Sequence, residues 1–316
     1  MKLKDKLIQA YKDGATRGLS FEVEREKYIQ LLQEMGFPTI KDEEWKYTNL
    51  LPILKNDYQL SESLSEVTAQ SLEEYILTDT NTHLVVFVNG QYSEELSSVD
   101  DEYACICSLA EAEVKEPEIL KKYWGSCLPE NPDSLVALNS ALSNNGTFIY
   151  VPKNKLVEKP IQIVYITNDI SADLFLQTRN LIVVEENAHV QITERHQNFD
   201  GKEVFTNALT EINAAANSIV DFYKIQNDKR SCSLIDNTWV NQEKNSNCTV
   251  DTFSFGGKFI RNNLSFLLNG EYAESNMRGI TLIGQNQLVD HHTLVDHAVP
   301  NCQSNELYKG IFDDNA

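Results

Sequence analysis

The sequence predicts an α+β protein in which a mostly helical N-terminal part precedes a long all-β part. From residue 160 to residue 316, short segments rich in branched and aromatic residues follow one another, with no convincing amphipathic helix between them. Consecutive strands of this kind form a sandwich, a barrel or a solenoid. Residues 161–316 contain seven glycines and a single proline, Pro300, so signals for tight hairpins are scarce. That scarcity favours a β-solenoid, whose coils turn through open corners, over stacked hairpins.

The N-terminal part shows helical periodicity in several places. Apolar residues recur at helical spacing up to Met35, and Gly36 and Pro38 supply a stop signal. The residues that form this apolar stripe are Tyr28, Leu31, Leu32 and Met35. The pattern predicts a second helix over residues 65–77 and a third, acidic helix over residues 109–122.

A strand and a further helix complete the N-terminal part. Residues 82–88 read as a strand that ends in an Asn89-Gly90 turn. Pro132 is predicted to occupy the first position of another helix, which Gly146 ends. Its apolar stripe consists of Leu135, Leu138 and Leu142. The texture changes after this helix, so we predict two domains, residues 1–145 and residues 146–316.

Strands with a two-residue period fill the second part. In a strand, every second side chain lies on the same face. The period therefore predicts that Val190 with Ile192, and Leu264 with Phe266 and Leu268, form inward-facing rows. Asn269-Gly270 is the clearest two-residue turn. The predicted strands cover residues 161–166, 181–184, 190–193, 204–212, 219–225, 234–240, 249–255, 264–268, 279–284, 287–297 and 304–310.

Composition and charge exclude several classes of function. Aspartate and glutamate outnumber lysine and arginine by 47 to 27, for a formal net charge of −20. Such a polyanion repels phosphate backbones, so no nucleic-acid partner is expected. The charged N-terminus has no secretory apolar region, and no apolar run approaches the roughly 20 residues that span a bilayer. Six cysteines scattered along 316 residues do not form a disulfide framework. We therefore expect a cytoplasmic protein with reduced thiols and no membrane partner.

A cluster of potential metal ligands lies near the C-terminus. His291 and His292 are neighbours on a strand, so their side chains point to opposite faces and cannot converge on one ion. His297 and Cys302, separated by a turn at Pro300, are the two that could meet locally. Polar solenoid positions and turn contacts are the favoured explanation of the cluster. Its members are Asp290, His291, His292, Asp296, His297 and Cys302.

Cysteines elsewhere invite a similar comparison. Cys105 and Cys107 are spaced to share a strand face, and a Cys-x-Cys pair can bind soft metals. With no second pair nearby in the sequence, buried thiols are the favoured interpretation. Cys232, Cys248 and Cys302 could carry sulfur or ligate iron, but packing is the better default because free cysteine is commonly buried.

Other side chains leave two interpretations open. The Trp45-Lys-Tyr47 stretch could mark a binding surface, or Trp45 could anchor the segment on the helical part. His189 and His196, at the two ends of one strand segment, are expected to be exposed. The sequence has no phosphate-binding Gly-Lys-Ser/Thr loop, no Gly-x-Ser-x-Gly and no His-Glu-x-x-His. We predict that the chain is not an enzyme.

Several blocks together resemble the SufB/SufD family of the SUF iron–sulfur cluster assembly system. The block from Asp42 to Leu50, which contains Glu-Trp-Lys-Tyr-Thr, is similar to an early signature of the SufD branch rather than the SufB branch. Thr178 departs from the family, which more often has proline before Arg-Asn. The other similar blocks are residues 137–142, 147–152, 178–182, 207–212, 223–226 and 279–310.

The resemblance implies a helical N-terminal domain followed by a right-handed parallel β-helix that is incomplete at its C-terminal end, without the family's C-terminal helical domain. It also implies a non-catalytic scaffold that pairs with a SufB-like paralogue and a SufC-like ABC ATPase. We expect weakened binding of the ATPase, self-association through the last coil, and an iron–sulfur cluster only in the assembled complex, with no cofactor held firmly by this chain. No family cysteine or histidine is carried over as a site residue. The alternative from another class is a β-helix protein that binds or cleaves polysaccharide, which would need clustered carboxylates.

Overall fold

The strand-rich part of the chain forms the body of the molecule. The computed structural model describes residues 3–14, 22–60, 63–143 and 145–316. In these ranges the helices are α1 Leu3–Lys12, α2 Glu22–Met35, α3 Leu51–Leu54, α4 Ala69–Leu72, α5 Leu109–Lys115, α6 Pro117–Tyr123 and α7 Ser134–Leu142, with a 3-10 turn at Glu43–Trp45. The strands are β1 His83–Val88, β2 Gln91–Tyr92, β3 Cys105–Ser108, β4 Thr147–Val151, β5 Ile161–Thr167, β6 Leu174–Val184, β7 His189–Asn198, β8 Val204–Ala214, β9 Ile219–Gln226, β10 Cys232–Gln242, β11 Asn247–Ser254, β12 Phe259–Leu268, β13 Glu274–Ile283, β14 Leu288–His297 and β15 Gln303–Phe312.

Successive strands alternate between two sheets. The first, here called sheet A, has the order β14-β12-β10-β8-β6-β4-β3, and the second, sheet B, has the order β15-β13-β11-β9-β7-β5-β1-β2. From β4 onward the strands of each sheet pair in parallel with the strand two places along the chain. This is a β-solenoid, so the predicted stack of short parallel strands is confirmed. β1 from the N-terminal part also joins sheet B, in parallel with β5.

The core lies between the two sheets. Val190 and Ile192 are fully buried there, as are Phe266 and Leu268, which are at most 2% exposed. The predicted inward rows are therefore confirmed, and the two-residue period of each strand explains them.

The corners between coils repeat in backbone conformation, although the amino-acid sequence shows no exact repeat. At intervals of 27 to 33 residues the backbone takes a positive φ, five times at asparagine, which tolerates this conformation. The side-chain amide of Asn187 donates to Asn154 on the preceding coil at 2.8 Å, and Asn245 donates to Asn217 at 3.0 Å. The corner asparagines thus fix how far each coil turns. The six residues are Asn154, Asn187, Asn217, Asn245, Tyr272 and Asn301.

Helices cover the outer face of sheet A. All residues of α7 are buried, and its Asn139 amide donates to the carbonyls of Thr178 and Asn207 at 2.9 and 2.8 Å. Leu135 and Leu138 pack with Phe205 in one apolar cluster. The helix is therefore fixed to the sheet by both apolar packing and hydrogen bonds.

The structure corrects three predicted helices. The helix predicted over residues 65–77 is limited to α4, Ala69–Leu72. The acidic helix over residues 109–122 is two helices, because Pro117 has no N–H to continue α5 and instead begins α6. The last helix begins at Ser134 rather than Pro132, because the Asp133 carboxylate caps it by accepting from Leu135 N and Val136 N.

Two predicted turn signals also have other roles. α7 ends at Leu142, and Gly146 lies after it, where a Cβ would stand 1.5 Å from the carbonyl oxygen of Arg179. Gly146 therefore permits close packing against β6 rather than ending the helix. Asn269-Gly270 is a corner between coils and not a hairpin, since the strands on either side of it belong to different sheets.

Candidate functional site

The Glu44–Leu50 signature segment docks on the outer face of sheet A, at its last two strands. Trp45 is 4% exposed, and the Arg261 guanidinium of β12 lies 4.9 Å from the centre of its ring. Arg261 also donates to the Glu44 carbonyl at 2.9 Å and pairs with Asp290 of β14. The Thr48 hydroxyl donates to the same Asp290 carboxylate. We call Trp45, Thr48, Arg261 and Asp290 the motif junction.

Neighbouring groups extend the motif junction in two directions. His292 of β14 pairs with the Glu44 carboxylate. Burial raises the pKa of Asp133, the cap of α7, and the charge of Arg261 opposes that rise. Arg261 therefore links the signature segment, the start of α7 and two strands of the solenoid. This arrangement fixes the N-terminal layer in place; its groups are engaged with one another.

The signature segment presents a second face to solvent. Tyr47 is 86% exposed, and the Lys46 ammonium lies 5.4 Å from the centre of its ring. The two interpretations of this stretch therefore apply to different residues. Trp45 anchors the segment, while Lys46 and Tyr47 are accessible to a partner.

A second junction fixes the α6 loop to sheet A. Arg179 of β6 and Glu211 of β8 form an ion pair in which neither side chain is exposed. The Glu211 carboxylate also accepts from Gly125 N at 2.9 Å and Cys127 N at 3.0 Å. The Arg179 guanidinium lies 4.5 Å from the centre of the Trp124 ring. We call Arg179 and Glu211 the loop clasp, because they satisfy each other's charge while holding the loop down.

Polar side chains form a continuous row inside the solenoid. Lys224 of β9 donates to Asp236 of β10 at 2.5 Å, and Gln226 donates to Asn262 of β12 at 2.6 Å. Burial raises the pKa of Asp236, with the Lys224 charge opposing it. The row, here called the inner polar row, ends near His291, whose Nδ1 lies 3.3 Å from the Asn262 amide.

His291 is a partly buried histidine at this end of the inner polar row. Its Nε2 lies 3.1 Å from the Thr281 hydroxyl, and its ring centre lies 4.7 Å from that of Tyr308. Because Asn262 can donate to Nδ1, the proton belongs on Nε2. Burial lowers the pKa of His291 to about 4, against the opposing charge of Asp290.

The other end of the inner polar row contains His196, which was predicted from the sequence to be exposed. That prediction is wrong: the side chain is 12% exposed and stacks on Tyr165 at 4.8 Å between ring centres. Its Nε2 lies 3.5 Å from the Glu194 carboxylate. Burial alone would raise the pKa of Glu194, but His196 and Lys224 hold it below its ordinary value. His189, at the start of the same strand, has a side chain 33% exposed beside Asp221.

The metal-ligand candidates are separated from one another. His291 points into the solenoid and His292 outward to Glu44, which confirms that they cannot converge. His297 Nε2 lies 3.1 Å from Ser304 Oγ, while Cys302 Sγ lies 3.3 Å from the Gly270 carbonyl. Within the described ranges, no three His, Cys, Asp or Glu side chains form a group that could hold a metal ion. The favoured explanation of the cluster, polar solenoid positions and turn contacts rather than a metal site at His297 and Cys302, stays a prediction.

The thiols differ in their surroundings. Cys232 and Cys248 are buried, and burial raises the pKa of both thiols. Cys107 is buried beside the partly exposed Cys105, with 3.6 Å between their sulfur atoms. The sequence interpretation of packed thiols therefore describes Cys232 and Cys248, while Cys105 and Cys107 form a pair.

Comparison with known proteins places the chain among assembly proteins. Residues 5–163 match the family described as "SufBD protein N-terminal region", and residues 165–316 match "SUF system FeS cluster assembly, SufBD core domain". The fold is thus a β-solenoid of the SufB/SufD type with a helical N-terminal region. The chain belongs to the SufB/SufD family. This membership does not favour the polysaccharide alternative.

Curated relatives agree with the family assignment. An iron–sulfur cluster assembly SufBD family protein of Synechocystis sp. is 26% identical across 99% of this chain and 72% of its own length. The iron–sulfur cluster assembly protein SufD of Escherichia coli is 24% identical across 92% of the chain and 66% of its own length. A SufBD family protein of Staphylococcus aureus is 25% identical across 91% and 64%. The chain therefore spans about two thirds of the length of these relatives. In the described ranges, no helix is long and apolar enough to cross a membrane.

Proposed function

We propose that this chain is a non-catalytic scaffold subunit of an iron–sulfur cluster assembly machine. Its partners in this proposal are a SufB-like paralogue and a SufC-like ABC ATPase, and its location is the cytoplasm. The observation that carries the proposal is the match of two SufBD family regions, in order, to nearly the whole chain. The names of the relatives point to the same process.

The contacts of the charged side chains support a structural role. Three ion pairs each have at least one fully or nearly buried partner. They are Arg179 with Glu211, Lys224 with Asp236, and Arg261 with Asp290. Each pair also connects two strands, and two of the pairs connect a strand to the N-terminal layer. Groups engaged in this way stabilise one arrangement of the subunit, which is what a scaffold needs.

Nucleotide chemistry in this proposal belongs to the ATPase partner. The chain has no Gly-rich phosphate loop followed by lysine. Iron and sulfide are cargo here, and the cluster forms only when the subunits are assembled. Lys46 and Tyr47, which lie on the exposed side of the signature segment, offer an aromatic and a cationic contact for a partner.

Co-purification tests the proposal. The tagged chain is expressed with a SufB-like and a SufC-like protein, and light scattering measures the mass of the purified species. We expect a complex that contains all three, with ATP hydrolysis that depends on the SufC-like protein and is absent from the chain alone. After addition of ferrous iron and sulfide, cluster absorbance should appear in the complex and not in the isolated chain.

Two outcomes would overturn it. One is a correctly folded chain, judged by its β-sheet circular dichroism, that binds neither partner when the E. coli SufD relative, tested in parallel, binds its own partners. The other is turnover of ATP by the highly purified chain alone. Tyr47→Ala serves as a surface variant: if Tyr47 contacts a partner, the complex weakens while the circular dichroism of the chain is unchanged.

A further inference from the structure

Cys105 and Cys107 stand apart from the other thiols because their sulfur atoms are in contact. Both lie on β3, at the edge of sheet A, and their Sγ atoms are 3.6 Å apart. Ile106 between them faces the core of the solenoid. The two thiols therefore share the outer face of the strand, where α5 and α6 pack over them. Cys107 is 2% exposed and Cys105 is partly exposed, so one sulfur is reachable and the other is sheltered.

A direct disulfide between the two does not fit the strand. Successive residues rise about 3.3 Å along a strand, so the Cα and Cβ atoms of residues two apart are separated by about 6.6 Å. A disulfide needs Cβ atoms about 3.5–4.5 Å apart. Closing the bond would require the backbone of β3 to leave its ladder with β4, in which Cys105 lies opposite Tyr150 and Cys107 opposite Phe148. An atom placed between the sulfurs needs no such movement.

The separation of the sulfurs fits a shared metal ion. A metal–thiolate bond is about 2.3 Å long, so two sulfurs on one ion stand about 3.8 Å apart at a tetrahedral angle and about 4.6 Å apart when they lie opposite each other. A two-coordinate ion needs the second value, so the sulfurs, which are 3.6 Å apart, would have to separate by about 1 Å. The partly exposed Cys105 side chain is the one with room to turn toward solvent. Thiolate pairs select soft cations, and monovalent d10 ions are satisfied by two sulfur ligands. The lack of a third His, Cys, Asp or Glu ligand among the described residues selects the low-coordinate ion.

We propose that Cys105 and Cys107 form a two-thiolate binding site for a soft monovalent cation of the Cu(I) class. Binding converts two thiols and one cation into a bis-thiolate complex with one negative charge, and two protons pass to solvent. No oxidation is involved, because the cation arrives as Cu(I) and stays so. The Lys115 ammonium of α5, paired with Glu111 at 3.0 Å, favours the negative charge of the complex, whereas the carboxylates of Glu111 and Glu116 oppose it.

Anaerobic titration of the whole chain with Cu(I), in competition with a chromophoric Cu(I) chelator, tests this site. We expect one ion that resists the competitor in the wild-type chain. Cys105→Ser and Cys107→Ser should each weaken its binding by roughly a hundredfold or more, since loss of a ligand exceeds the 10- to 100-fold cost of losing a supporting group. Cys127→Ser is the matched control, because Cys127 is also partly exposed but its sulfur contacts the Ile212 carbonyl at 3.5 Å rather than a second thiol. Its affinity should equal that of the wild type.

X-ray absorption of the copper-loaded chain gives a second readout. Two sulfur scatterers and no lighter ligand are expected in the wild type. If Cys107→Ser disturbs folding, Cys105→Ser, at the partly exposed position, still tests the site. Thermal melting by circular dichroism distinguishes loss of a ligand from loss of folding. Binding that is unchanged in a folded Cys105→Ser chain, or lost equally in Cys127→Ser, would overturn the proposal, as would a spectrum dominated by nitrogen or oxygen.

Discussion

The outer faces of the two sheets carry the same alternating pattern but have different surroundings. On sheet A the outward residues Phe205, Ile235 and Leu181 are fully buried beneath helices and the α6 loop. On sheet B the outward Val86 of β1 and Val164 of β5 are buried with Leu72 of α4, but on the later strands β13 and β15 the outward Ile280 and Leu307 are 49% and 54% exposed. Apolar side chains at alternate positions of a strand therefore predict two faces but do not say which face is covered. What covers a face depends on parts of the chain far away in sequence.

Charged pairs follow the same division. The loop clasp on sheet A is completely buried, whereas Arg278 and Asp251 on sheet B form a pair in which the arginine side chain is 56% exposed. The Arg278 pair borders a hollow of about 270 Å³ that Ile280, Leu307 and Lys309 also line. Breaking an arginine–carboxylate pair should therefore change the unfolding free energy much more on sheet A than at Arg278 on sheet B, and substitutions can measure the difference.

Breaking the loop clasp should give the largest effect. Glu211→Gln leaves the Arg179 charge buried without a partner, which costs about 3–5 kcal/mol of unfolding free energy. Urea unfolding followed by circular dichroism measures it. Replacing both residues, with Arg179→Met and Glu211→Leu, should recover much of the loss because no buried charge is left. A double variant as unstable as Glu211→Gln would show that the loop contacts, rather than the charge, dominate.

Truncating the anchor of the motif junction should come next. Trp45→Ala removes a buried ring and leaves the Arg261 guanidinium without its stacking partner, which should cost about 3 kcal/mol. The control is Tyr47→Ala two residues away, where the ring is 86% exposed and the change should lie within about 0.5 kcal/mol. Equal losses for both variants would contradict the docking described here.

The interior, which both sheets share, should respond to pH through His291. Burial lowers the folded-state pKa to about 4 from the ordinary 6.5, so the unfolded chain binds the proton more readily. The contribution of His291 is present in full above pH 6.5 and is lost as the pH falls toward 4, by at most roughly 3 kcal/mol. Unfolding free energies of the wild type and His291→Gln between pH 7 and pH 4 should converge at the acid end.

The smallest effect is expected on the later strands of sheet B, where its outer face is open. Arg278→Ala removes the half-exposed partner of Asp251, and exposed ion pairs contribute about 1 kcal/mol or less. The thermal midpoint should therefore change little, and high salt should reduce the difference further. A loss as large as that of Glu211→Gln would mean that this face is more enclosed than the exposure of Ile280 and Leu307 indicates.

Local rules predicted the interior of the solenoid well. Val190 and Ile192 face inward because side chains alternate, and the same rule, carried two and four residues further, places Glu194 and His196 inside as well. His196 was nevertheless predicted to be exposed, because it lies at the end of the strand segment. The signal for His196 was present in the strand period.

Contacts between distant segments could not be predicted in the same way. Trp45 and Arg261 meet across more than two hundred residues, and nothing in either local pattern selects the other. Arg179 and Glu211 each lie in a block that resembled the family, but the ion pair between them becomes visible only when β6 and β8 are neighbours. The coil repeat could not be predicted from the sequence, because it is a repeat of backbone conformation whose intervals vary from 27 to 33 residues.

The corner asparagines have a consequence for how such a protein can change its length. Asn187 bonds to Asn154 through its side chain and, through its backbone N–H, to the carbonyl of Ala216 on the next coil at 3.0 Å. The backbone N–H groups of Asn154, Asn217 and Asn245 likewise donate to the carbonyl just before the next corner, at 2.9 to 3.0 Å. Coils of a solenoid contact their neighbours alone. Duplication or loss of a whole coil between two such asparagines would leave the remaining asparagine corners with backbone partners of the same kind. A gene for this fold can therefore grow or shrink in steps of one coil, whereas shorter insertions are tolerated at the loops between corners.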